Sequence, residues 1–419
     1  MRILLIVVLA LSGCVSGRIG QTASNLTSNA NLKNAHVGIA VYDVEAGKYL
    51  YQYQSDKYFV PASNTKIPTC YAAMKYLGDS LVNYRYVVEG DNIYIDPAGD
   101  PLFLHGSYPS QKGFDYLKGF KNVHLNHTGF IDFLGSGWSW NDYRESYMAQ
   151  RSDLPLYGNI VRLAWADGNV QAHPRLFSDS IHRAGPLPLG FRVQKPWDSN
   201  RFTLLPGNGK SDIIPFRPGM DINMKLLADT LGIPVTAFKG ERNFTSTMYS
   251  FHTDTMLKPM MHRSDNFFAE QSLVMASREF MGEFDLAGMI DTILRTDFSQ
   301  LRQMPRWVDG SGLSRYNLFT PESFIEILLK MRQEFGMERI KEIFPTGDDG
   351  TLTGLYKNYS GKIFAKTGTL SGVVALSGFI YTKKNRLLVF SVLVNNHRSV
   401  ARDIRVQVQD FLVEMAERN

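Results

Sequence analysis

The stretch Pro61-Ala62-Ser63-Asn64-Thr65-Lys66-Ile67-Pro68-Thr69-Cys70-Tyr71-Ala72-Ala73-Met74-Lys75-Tyr76-Leu77-Gly78 decides the reading of this chain. Ile67 to Leu77 is mostly apolar and contains alanines, serine is a favoured residue at a helix N-terminus, and glycine is a common stop. Positions i and i+3 share a helix face, so Lys66 is expected beside the Ser63 hydroxyl. A hydroxyl at its free pKa is a poor nucleophile and needs an adjacent base. A lysine can be that base when desolvation or a second cation depresses its pKa. Pro68 is expected just past the first turn, where it removes a backbone donor and should kink the helix.

Two further strings follow in order. Ser264-Asp265-Asn266 opens Phe267 to Met281, a stretch free of Gly and Pro with apolar residues at helical spacing. The other S-x-N string, Ser139-Trp140-Asn141, lies among glycines and tryptophans with no helix after it. Ser264 is therefore the better proton relay, and the Asn266 amide can bond both a substrate amide and a catalytic side chain. Lys366-Thr367-Gly368 follows the strand-like Ile363-Phe364-Ala365. Two β-rich runs come next, Val373 to Tyr381 and Leu387 to Val394, joined by the polar turn Lys383-Lys384-Asn385-Arg386. A lysine at the rim of an antiparallel sheet suits capture of a carboxylate, and Gly368 permits close backbone approach. Lys366 also supplies the second cation that Lys66 requires.

S-x-x-K, S-D-N and K-T-G in this order mark serine acyl-transfer enzymes that act on penicillin or on peptidoglycan. Further strings are Ala98-Gly99-Asp100-Pro101-Leu102, Gly137-Trp138-Ser139-Trp140, Asp309-Gly310-Ser311-Gly312-Leu313-Ser314-Arg315, Gly350-Thr351-Leu352 and Thr369-Leu370 after the Lys-Thr-Gly. With these, the chain from about residue 36 to about 397 resembles the low-molecular-mass, type-4 penicillin-binding proteins, the D-alanyl-D-alanine carboxypeptidase/endopeptidase family. The resemblance implies an α+β fold of the serine β-lactamase/penicillin-binding transpeptidase type: an antiparallel sheet flanked by helices, a helical subdomain and an inserted, mostly β module. It also implies the roles. Ser63 attacks the D-Ala-D-Ala carbonyl and Lys66 takes its proton. Ser264 passes the proton to the leaving amine, and Asn266 orients substrate and Lys66. Lys366, Thr367, Gly368 and Thr369 bind the substrate end, with the N–H groups of Ser63 and Thr369 as oxyanion hole.

The first residues give an address. Met1-Arg2, the apolar Ile3 to Leu11 and Ser12-Gly13-Cys14 read as a secretory signal over 1–13, too short to span a membrane. Leu-Ser-Gly before Cys14 resembles the bacterial lipoprotein box, so lipidation of Cys14 and a polar tether over 14–34 are expected. The protein is then exported and membrane-anchored on the periplasmic side. The only other cysteine, Cys70, is expected to be a small buried residue.

Composition is that of a folded protein: 419 residues, 44% hydrophobic, 20% charged, net charge +5. That charge is mild enough to require no nucleic-acid partner. The nine histidines form no metal motif; no metal or cofactor is expected. The catalytic domain is expected over 35–85 and 256–419, with the β insertion over 86–255, where Asn92 to Ile95, Gly129 to Phe133 and Ile160 to Ala166 look strand-like. The expected partners are peptidoglycan stem peptides, β-lactams and the membrane through Cys14. Two other readings differ in turnover. A class A-like β-lactamase shares the strings but needs fast deacylation, and a silent peptidoglycan- or penicillin-binding protein would not turn over at all.

Overall fold

The computed structural model describes residues 19–166, 169–240 and 242–419. The expected signal (1–13) and Cys14 lie outside the described residues. The described residues divide into two compact units, one of residues 19–71, 257–265 and 290–419, the other of 72–256 and 266–289.

The first unit is built on a five-stranded antiparallel sheet ordered Ile363–Leu370, Val373–Tyr381, Leu387–Asn395, His36–Asp43, Lys48–Tyr53. Its central strands are buried on both faces, so they read as continuous apolar runs rather than alternating ones; Leu387–Asn395 is buried throughout. One face carries Ile39, Val41, Leu376 and Phe390. They pack with Ile404, Val408, Phe411, Leu412 and Met415 of the C-terminal helix Ala401–Arg418. These five side chains recur at helical spacing, and burying each contributes about 1.5–3 kcal/mol. The opposite face lies against Pro321–Phe335, started by Thr320, whose side chain accepts from the Ser323 N–H.

Residues 19–27, part of the expected tether, are helical. Ile19, Ala23 and Leu26, with Leu32, are buried in the same core as the C-terminal helix. Gln21, Ser24 and Asn25 between them are exposed, whereas Thr22 is buried with the apolar residues.

Among the described residues the second unit holds three sheets. A five-stranded one is ordered Val235–Phe238, Asn122–Asn126, Asn92–Pro97, Ser80–Glu89, Ser246–His252, and two three-stranded ones are built from residues 160–215. They share one apolar core that includes Tyr84, Ile95, Leu125, Val161, Leu163, Phe202 and Leu226. Gly129 to Phe133 is not a strand: Ile131 is 85% exposed and no neighbouring strand pairs with it. Instead the Phe130 and Phe133 rings pack edge to face on each other. The helix Asn266–Met281 groups with this unit rather than with the sheet of the first. Residues Phe267 to Ser277 are buried all round, the signature of an interior helix.

Candidate active site

Ser63 is presented by a 3-10 turn, Ala62–Thr65, that runs into the α-helix Lys66–Tyr76. Pro68 is thus the third residue of the α-helix, inside the first turn, where its missing N–H costs little. The expected kink does not follow, because the helix proper starts three residues later than the serine. Ala62, immediately before Ser63, has φ +49°, an uncommon conformation for a non-glycine residue. Ser63 is partly exposed, whereas Lys66 is fully buried.

Lys66 Nζ lies 3.0 Å from Ser63 Oγ and donates to the Ser311 carbonyl at 2.7 Å. The sequence signalled the first of these contacts but not the second. The Asp309–Arg315 loop is held by Asp309, which is fully buried. Its carboxylate accepts from Gly312 N at 2.9 Å, Ser314 N at 2.7 Å and Asn317 Nδ2 at 2.6 Å. The loop docks on the serine helix through Thr69 Oγ1, which donates to Gly310 O at 2.7 Å. Gly312, at φ +83°, passes so close that a Cβ there would lie 1.9 Å from Ala62 O. A carboxylate-centred loop thereby fixes the carbonyl that orients Lys66.

Asn64 is a second residue that sequence alone does not single out, beyond its place inside the Ser63 string. Its buried amide bridges two strands: Nδ2 donates to the Lys366 carbonyl at 2.7 Å, and Oδ1 accepts from Ser377 N at 3.2 Å and Ser377 Oγ at 2.7 Å. The Ser63 turn is therefore stapled to the strand that carries Lys366.

Ile363–Leu370 is the edge strand of the sheet. Lys366, expected at the rim of the sheet, lies on this edge strand and is fully buried. Its Nζ donates to Ser264 Oγ at 2.9 Å and to Thr367 O at 2.9 Å. Burial holds its pKa well below the usual lysine value, and repulsion from Lys66 and then Arg405 lowers it further. Thr367 is nearly buried, and Thr369 is exposed, with Arg405 Nη2 donating to its hydroxyl. Ser264 sits after the helix Thr253–His262 with φ +60°, a strained setting of the kind found at functional sites. Behind it His262 Nδ1 pairs with Asp349 Oδ2 at 2.9 Å. Gly350 lies against the His262 backbone, where a Cβ would be 2.5 Å from its carbonyl oxygen.

Ser63, Lys66, Ser264, Lys366, Thr367, Gly368 and Thr369 thus all lie in the first unit, around one cationic centre. Asn266 is the first residue of its helix in the second unit, where its Nδ2 donates to Tyr147 O at 3.0 Å. Ser139-Trp140-Asn141 forms a short, exposed 3-10 turn with no following helix. Cys70 is buried and forms no disulfide among the described residues.

The D-Ala-D-Ala carboxypeptidase DacB of Haemophilus influenzae is 23% identical, covering 87% of this chain and 86% of its own. The crystal structure of penicillin binding protein 4 from Haemophilus influenzae superposes with a TM-score of 0.74 at 21% identity, over 93% of this chain and 98% of that one. A penicillin G-acylated predatory endopeptidase of Bdellovibrio bacteriovorus follows with a TM-score of 0.54 at 16% identity, over 92% and 93%. The profile of the D-Ala-D-Ala carboxypeptidase 3 (S13) family matches residues 20–175 and 238–415, most of the sequence. This chain belongs to that family, the serine-type D-Ala-D-Ala carboxypeptidases of peptidoglycan stem peptides.

Proposed function

We propose that the reaction runs through an acyl-enzyme on Ser63. The observation that carries this reading is the fully buried Lys66 amine 3.0 Å from the Ser63 hydroxyl, pinned there by the Ser311 carbonyl. Neutral Lys66 takes the Ser63 proton as Oγ attacks the carbonyl of the D-Ala-D-Ala bond. The N–H groups of Ser63 and Thr369 receive the oxyanion. The C–N bond then breaks, and the departing amine gains a proton relayed through Ser264. Asn266 orients the peptide amide. Gly368 lets the substrate backbone approach, and Lys366, Thr367 and Thr369 receive the terminal carboxylate. Water hydrolyses the ester, returning Ser63 and releasing the shortened stem.

The same chemistry cuts a crosslink when the leaving amine belongs to a second stem, so endopeptidase activity is part of the proposal. β-Lactams acylate Ser63 in place of the peptide, in keeping with the acylated state named for the Bdellovibrio endopeptidase. The Leu-Ser-Gly-Cys14 string assigns the enzyme to a periplasmic membrane face through lipid on Cys14. Cys14→Ser should release the protein from the membrane fraction.

The test is intact-mass analysis with benzylpenicillin over hours. A single stable adduct mapping to Ser63, absent from Ser63→Ala, is expected. Rapid adduct loss with hydrolysed drug would move the function to a β-lactamase. No adduct on folded protein would leave a silent binding protein.

A further inference from the structure

The charged groups that act on buried Lys366 are Lys66 and Arg405, both cations. Such a field is set for an anion that arrives with the substrate. Lys366 is poorly placed to grip that anion directly. It is fully buried, and its Nζ already donates to Ser264 Oγ and to the Thr367 carbonyl.

Arg405 has the properties that Lys366 lacks. It is half-buried on the C-terminal helix Ala401–Arg418. Its Nη2 donates to the Thr369 hydroxyl, and its buried Nε has no hydrogen-bond partner among the described residues. No carboxylate among those residues pairs with it. A guanidinium is a planar fork that suits bidentate capture of a carboxylate, and it stays charged where a buried lysine does not. Thr367 and Thr369 stand two residues apart, hence on one face of the strand. That strand is the sheet edge, open to an extended peptide.

We infer that Arg405, with the hydroxyls of Thr367 and Thr369, forms the seat for the substrate's terminal carboxylate, and that Lys366 serves the proton relay of Ser264 instead. The inference rests on the Ser63 acyl-enzyme reading. It divides the two tasks that the Lys-Thr-Gly string alone assigns to one lysine. Arg405 is a specificity residue: it selects substrates that end in a free carboxylate and takes no part in bond making.

The experiment measures second-order acylation rates of the full chain with benzylpenicillin and with its methyl ester, for wild type, Arg405→Ala and Arg405→Lys. Loss of a charge-assisted contact should slow acylation of Arg405→Ala by the acid about 10- to 100-fold. The same variant should leave the ester rate within about two-fold, and Arg405→Lys should recover part of the acid rate. An equal fall for acid and ester would make Arg405 a structural brace of the Thr369 strand and overturn the inference, as would no fall at all. If wild type forms no adduct, the acyl-enzyme reading fails first. A normal wild-type adduct with an indifferent Arg405→Ala defeats this inference alone.

Discussion

A Cβ built on Gly368 would stand 2.6 Å from the carbonyl oxygen of Pro61. The strand that carries Lys366 and the turn that presents Ser63 therefore touch through bare backbone. Neither partner is a flexible side-chain tip, so the contact can yield only by parting strand from turn. Gly368→Ala should cost about 1–3 kcal/mol of stability and slow β-lactam acylation by about ten-fold or more through displaced reacting groups. Denaturant midpoints and adduct formation rates check both. Wild-type values for this variant would mean the turn is looser than the geometry implies.

Asp309 acts at one remove from Ser63. Asp309→Ala strands the buried donors that its carboxylate satisfies at Gly312, Ser314 and Asn317. A loss of about 3 kcal/mol or more is expected, with acylation slowed because the Ser311 carbonyl no longer fixes Lys66. Asp309→Asn keeps acceptor capacity on one oxygen and should fall between. Chemical denaturation of the three proteins, run beside benzylpenicillin labelling, reads both effects.

Lys366 gives stability a particular pH dependence. Its native pKa lies well below 10.5, so over the interval between those values the unfolded chain binds the extra proton. Its contribution is then fully present only above 10.5 and is lost as pH falls through the interval. Lys366→Met should remove that term. The difference in unfolding free energy, wild type minus variant, should rise from about pH 6 to about pH 9.5. A flat difference would show that the ammonium is as well accommodated in the fold as in water.

His262 predicts an acid-side analogue. Its pKa is lowered from 6.5, first by burial and also by Lys258 and Lys366, with Asp349 opposing. A depressed histidine stabilises the fold above 6.5 and loses that contribution as pH falls below it. His262→Gln should therefore be less sensitive than wild type to acidification below about pH 6.5. Because His262 precedes Ser264 by two residues, adduct formation should lose the same part of its acid sensitivity. Identical acid limbs for the two proteins would remove His262 from the account.

What the sequence carried was the chemistry with local signatures. A serine and a lysine three apart ahead of an apolar run place themselves on one turn, and the runs around Lys366 declare strands. Asn64 and Arg405 were silent because their partners lie far along the chain: Asn64 meets Ser377, and Arg405 meets Thr369 from the last helix. Pro68 misled because the short 3-10 turn shifts the helix start by three residues. Lys366 misled differently. Its strand is at the sheet edge, as expected, yet the side chain points into a buried centre, and periodicity does not report which side of an edge is covered. The segment 19–34 reads as a tether on polarity, yet Ile19, Ala23 and Leu26 fall at i, i+4 and i+7, the spacing of one helix face.

That N-terminal helix bears on where the chain tolerates cutting. A boundary at residue 35, which composition recommends, would strip Ile19, Ala23, Leu26 and Leu32 from the core they share with Ile39 and Phe411. Side chains of this kind together contribute on the order of several kcal/mol, and their removal leaves an apolar trough open on the catalytic unit. Shortened forms beginning there should aggregate, and their weak drug labelling would be mistaken for a catalytic defect.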